Sequence, residues 1–164
     1  MQRLPFLAVL LVASVAVAGC GRTDPGEPTL TLRPDVPPLP PADTAAAEAL
    51  IGPDETLQVL EFAQDGSTTV TGTVDGYRST AYAVPVASAQ TLTVTFQPAS
   101  QNLYMNVQNA ADPSGAAVHR GEVDGPTSSL IAPEAGTYVI RPFQPRASAR
   151  RGETVTYTIT IARQ

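Results

Sequence analysis

The segment "ETVTYTITI", Glu153 to Ile161, alternates without error: Val155, Tyr157, Ile159 and Ile161 share one side, Thr154, Thr156, Thr158 and Thr160 the other. A period of two sends successive side chains to opposite faces of a strand, so this segment predicts a strand with one dry and one wet face. Threonine suits the wet face, because its branched Cβ fits the pleat and its hydroxyl stays hydrated. A strand dry on one side only belongs to an antiparallel sheet, since parallel sheets are covered on both faces.

Working outward, "TLTVTFQ" (91–97) repeats the pattern with Leu92, Val94 and Phe96, "STAYAVPV" (79–86) with Tyr82, Val84 and Val86, and "NLYMNVQ" (102–108) with Leu103, Met105 and Val107. "LQVLEFA" (57–63), "TTVTGTV" (68–74), "SSLIA" (128–132) and "TYVIRPF" (137–143) bring the set to about eight strands. The Asp-Gly pairs 65–66, 75–76 and 124–125 tolerate positive φ and supply turns between these runs. Two amphipathic sheets bury their apolar faces against each other, so the predicted fold class is all-β: an antiparallel two-sheet β-sandwich. Pro85 and Pro142 would interrupt a central ladder, which places their strands near an edge or a bulge.

The chain begins "MQRLPFLAVLLVASVAVAGC", an apolar or small run from Leu4 to Gly19 that ends at the only cysteine. The run is short of the roughly 20 residues a membrane span needs and suits the apolar region of a signal peptide. The flanking "VAGC" resembles a bacterial lipobox, which implies a lipidated Cys20 as the first mature residue. Gly21 and Arg22 follow it, with no aspartate, and by resemblance to lipoprotein sorting rules this implies the outer membrane, facing the periplasm. The stretch from Gly21 to Ala42 is proline-rich, so neither helix nor ladder propagates and a semi-rigid tether is expected. Within it, "PPLPPA" would form polyproline II, the shape of a groove ligand. "ADTAAAEALIG" (42–52) predicts a short helix capped by Asp43 or Thr44 and stopped by Gly52. The expected division is signal peptide 1–19, lipid-anchored tether 20–52 and β-sandwich 53–164.

The inventory for catalysis is thin. The single histidine, His119, falls in the run "AAVHRGEVDG" and reads as a solvated loop residue. With no second histidine and no available cysteine, zinc chemistry lacks ligands and a hydrolase triad has one candidate base. Asp112, Glu122 and Asp124 have the right chemistry for calcium but no recognised loop spacing. No enzyme, metal or cofactor is expected. Charge is segregated: from Cys20 to Ile140 four arginines stand against fourteen acids, whereas Arg141 to the end carries five arginines and one glutamate. The acidic majority disfavours nucleic acid, and the basic segment "PRASARRGETVTY" (145–157) reads as a turn suited to an anionic partner.

Two stretches, "VTGTVDGYRSTAYAV" (70–84) and "GTYVIRPFQPRASARRGETVTYTITI" (136–161), resemble the bacterial inhibitors of g-type lysozyme, small periplasmic β-sandwiches related in fold to pre-peptidase C-terminal domains. The likeness runs from about Phe62 to Ile161. Its elements here are Gly72, Gly76 and Tyr77, with Tyr82 beyond, and the two arginines Arg146 and Arg150 leading into the Tyr157 strand. The resemblance implies a monomeric binding protein that meets g-type lysozyme through Tyr77, Arg146 and Arg150, entering the muramidase cleft. A guanidinium matches a catalytic carboxylate bidentately, and a tyrosine is a rigid neighbour for it. Arg141, on a strand, and Arg151 carry less weight in this reading. Arg78 and Ser79 depart from the family's aromatic or acidic residues after the Gly-Tyr pair. The other classes this sequence admits are an envelope module that binds glycans or peptidoglycan, and a structural lipoprotein.

Overall fold

The computed structural model describes residues 38–64 and 66–164. Cys20, the signal peptide, most of the tether and Asp65 of one Asp-Gly pair lie outside the described residues. Two sheets face each other. One has five strands in the order β1-β3-β8-β5-β6, the other four in the order β2-β9-β4-β7. They comprise β1 (Glu55–Val59), β2 (Ser67–Asp75), β3 (Ser79–Val86), β4 (Thr91–Pro98), β5 (Tyr104–Asn109), β6 (Ala117–Arg120), β7 (Thr127–Ile131), β8 (Gly136–Phe143) and β9 (Thr154–Arg163). The short helices are α1 (Thr44–Glu48), α2 (Gly121–Asp124) and α3 (Arg146–Arg150). The β-sandwich follows the sequence pattern, with Val74, Tyr82, Val84, Leu92, Val94, Phe96, Met105, Val107, Ile140, Tyr157, Ile159 and Ile161 forming the core between the sheets.

Four expectations are corrected. The first strand starts earlier than its apolar run and pairs β3 in parallel, Glu55 beside Ser79 through Val59 beside Ala83. Its register is set by Glu55 and by Leu57, which packs on the outer face of the sheet, more than by alternation. That outer face is not wet throughout: Ala81, Ala83, Ala110 and Val139 are buried under Ala47, with Leu50 and Ile51 packed alongside. The alanines leave room for α1, whose Asp43 cap accepts from Ala46 N at 3.0 Å and donates its own N–H to Thr137 Oγ1 at 2.8 Å. A five-residue helix gains its stability from this docking.

His119 is not a solvated loop residue. It lies on β6 opposite Val107, is buried, and its Nε2–H donates to Gly125 O at 2.9 Å. The two prolines do not mark edge strands, because β3 and β8 are interior. Each sits instead where its ladder is one-sided: β1 ends opposite Ala83, before Pro85, and β3 pairs β8 only as far as Ile140, before Pro142. A missing N–H costs little on the unpaired side.

The registers place β2 Asp75, β4 Pro98 and β8 Phe143 at one end, beside the starts of β9, β5 and β3. Four connections therefore meet at this end, and all four cross between sheets: the turn at 76–78, the loop at 99–103, α2 and α3. The chain enters at the opposite end, where Asp43 meets Thr137 at the start of β8.

Candidate functional site

The segment expected as a basic turn is one turn of helix. Pro145 precedes α3, Ala149 N bonds Pro145 O at 3.0 Å, and Gly152, at φ 67°, closes the C-terminus by bonding Ala149 O at 3.0 Å. Proline before and glycine after are start and stop signals readable in the sequence, yet the flanking strands hide them. Ser148 and Ala149 are buried, whereas Arg146 and Arg150 are exposed. Spaced four apart, the two guanidinium-bearing residues share one helix face.

That arrangement opposes local stability. Like charges at this spacing repel, and Arg146 stands at the end of the helix where a positive charge is unfavourable. Among the described residues neither arginine forms an ion pair, whereas Arg151 next to them bonds Glu153 at 2.6 Å and donates to Ser148 Oγ at 3.2 Å. The Arg151 bond is the foremost cause holding the Glu153 carboxyl below its ordinary range.

Tyr77 crowns the two-residue turn between β2 and β3 and is 50 % exposed. Gly76 takes φ 61° as the first central residue, and Asp75 and Arg78 exchange backbone bonds of 2.9 and 3.0 Å. Arg78 also pairs with the Asp75 side chain, which accepts from Thr154 Oγ1 at 3.1 Å. The turn and α3 are held together by backbone. Gly76 N donates to Glu153 O at 3.0 Å, and a Cβ on Gly76 would stand 3.2 Å from Ala149 O. Tyr77, Arg146 and Arg150 thus project from adjoining connections at one end of the sandwich.

The other residues of the pattern are structural. Tyr157 and Tyr82 are buried and share a hydroxyl–hydroxyl bond of 2.9 Å between the sheets. Burial, then the Tyr82 bond, pushes the Tyr157 phenol well above its ordinary value. Gly72 opposes Tyr157 across the β2–β9 ladder, and a Cβ there would lie 2.3 Å from Tyr157 Oη, so only glycine admits the ring. Arg141 is also structural: it bonds Glu55 through Nε at 3.1 Å and Nη2 at 2.5 Å, and Gln108 Oε1 through Nη1 at 3.1 Å. The sequence does not reveal the cavity of about 240 Å³ beside Tyr77, whose wall includes Glu55, Ser79, Arg141 and Phe143.

The acids weighed for calcium have local uses. Asp112 Oδ1 accepts from Ser114 N at 2.9 Å, and Asp124 Oδ2 from Arg120 N at 2.8 Å. Among the described residues no three His, Cys, Asp or Glu side chains gather as metal ligands.

The architecture is a β-sandwich that gathers an exposed tyrosine and two exposed arginines at one end. Comparison with known proteins places it further. The chain is 33 % identical to Aeromonas hydrophila PliG, a periplasmic lysozyme inhibitor of g-type lysozyme, across 68 % of this chain and 98 % of that one, with a TM-score of 0.60. It belongs to the PliG family. Salmonella Typhimurium PliG (19 % identity, 66 % of this chain and 98 % of that one, TM-score 0.52) and a mutant Escherichia coli PliG (20 %, 67 % and 98 %, 0.51) share the fold. No protein-family model and no curated protein matches.

Proposed function

We propose that this chain binds and inhibits g-type lysozyme by seating Tyr77, Arg146 and Arg150 in the muramidase cleft. It acts as a monomer, without catalysis, from a lipid on Cys20 in the outer membrane facing the periplasm. The observation that carries the reading is the backbone lock between the Gly76–Tyr77 turn and α3, which presents the tyrosine and the two exposed arginines together. A guanidinium is matched to a carboxylate, and a cleft that excludes water strengthens the bond. The relative from Aeromonas hydrophila, an inhibitor of g-type lysozyme, supports the choice of partner. Among the described residues the chain enters the sandwich at the end opposite Tyr77, where Asp43 meets Thr137.

The test is inhibition by the mature chain without its lipid. We expect stoichiometric loss of g-type lysozyme activity, abolished in the double variant Arg146→Ala, Arg150→Ala. No inhibition of g-, c- or i-type enzymes at large molar excess overturns the reading. Labelled palmitate should enter the full-length chain and not Cys20→Ser; equal labelling of both would discard the anchor.

A further inference from the structure

The end that carries Tyr77 and α3 holds a second feature. Between the loop at 99–103 and α2 opens a cavity of about 340 Å³, within the roughly 300–1,000 Å³ of small-ligand pockets. Phe96, Leu103 and Met105, all core residues, line it together with Pro98, Tyr104 and Pro126. Such walls offer water few partners, so an apolar group gains by replacing it. Val123, which lies in sequence between the lining residues Gly121 and Gly125, is 67 % exposed.

This cavity adjoins the arginine end. Tyr104 packs its ring on Phe143 with centroids 6.0 Å apart; Tyr104 lines the apolar cavity, and Phe143 lines the one beside Tyr77. Phe143 stands just before α3. Charge changes sign across the end, from Arg146 and Arg150 on α3 to the exposed Glu122 and Asp124 on α2. Exposed guanidiniums contribute little in open water and become hot spots when neighbouring contacts exclude it. One tyrosine and two arginines also fall short of the roughly 800 Å² per partner that a stable interface covers.

We infer that this cavity is a second subsite for the same protein partner, and that it receives an apolar side chain from the rim of the partner's cleft. The inference rests on the lysozyme-binding reading above. The subsite is an apolar anchor at the side of the footprint away from Tyr77.

Two exposed positions test it in the lipid-free mature chain, Gln101→Asp on the cavity wall and Val123→Asp on the neighbouring α2. Affinity for g-type lysozyme is measured by calorimetry, and the cavity is read independently with Nile red, a neutral apolar dye. Each variant should weaken binding by roughly tenfold, without change in the melting temperature. Nile red should brighten with the wild type, less with either variant, and be displaced by lysozyme. Should Val123→Asp disturb α2, Gln101→Asp in the neighbouring loop decides. Full affinity in both variants, with dye retained in the complex, overturns the subsite and leaves the tyrosine–arginine reading standing. Absence of any wild-type binding overturns both.

Discussion

Arg141 and Arg150 belong to the same basic stretch of sequence, yet the molecule uses them in opposite ways. Arg141 reaches across the outer face of the five-stranded sheet to Glu55 and Gln108, tying the edge strand β1 to β8 and β5. Its side chain is 27 % exposed and that of Glu55 only 9 %. Arg150 and Arg146 stand exposed on α3, facing solvent from a helix their charges do not help. A buried guanidinium without a partner is expensive, so burial enforces pairing. An exposed one pays no such penalty, and its unspent donors remain open to another molecule.

The largest effect should come from breaking the half-buried pair. Arg141→Ala leaves the Glu55 carboxylate facing a partly dry pocket, and we expect a loss of about 3 kcal/mol, a fall in Tm on the order of 10 °C. Arg146→Ala with Arg150→Ala should leave Tm unchanged or slightly raised, while removing inhibition. Thermal melts of the two variants side by side check the comparison. Equal destabilisation would mean that the α3 arginines are structural after all.

Arg163 is intermediate and sharpens the contrast. Its guanidinium carbon lies 3.6 Å over the Phe62 ring, and Nη1 donates to Pro85 O at 2.7 Å, pinning the segment between β1 and β2 to the end of β9. Burial holds its pKa below the ordinary arginine value. Arg163→Ala should cost about 1–2 kcal/mol, with no effect on inhibition, since it lies at the opposite end from Tyr77. Urea titration gives the first quantity and a lysozyme assay the second.

The same contrast explains how far the sequence could be read. Alternation in Glu153–Ile161 and its neighbours follows from the pleat, and the expected runs overlap eight of the nine strands. β6 escaped because four residues show no period, and the buried His119 inside it lies between the exposed Val118 and Arg120. The outer alanines of β3 look like ordinary small residues until α1 lies on them. At the site, Tyr77 and the two arginines are recognisable as a pattern, but the contact between Gly76 and Ala149 depends on two connections far apart in the chain. Charge counting could not separate Arg141 from Arg150 either, because the partner Glu55 is brought to one and not to the other by the parallel β1–β3 pairing.

The smallest effect belongs to the surface pairs, and acid exposes it. Asp75 is held below its ordinary value of 3.8 foremost by the Arg78 side-chain bond and then by Thr154, and Glu153 below its 4.5 by Arg151. A carboxylate whose folded pKa is depressed adds stability above its unfolded pKa and loses it as pH falls through the folded one. The contribution is therefore present at neutral pH and disappears below the ordinary carboxylate range. Both groups are solvent-exposed and screened, so Arg78→Ala and Arg151→Ala should shift Tm at neutral pH within replicate scatter, less so in high salt. Wild type and variants should converge as the pH is lowered past those values. A gap at neutral pH as large as that of Arg141→Ala would place these arginines with Arg141, and would mean that exposure alone does not separate structural from available charge in this sandwich.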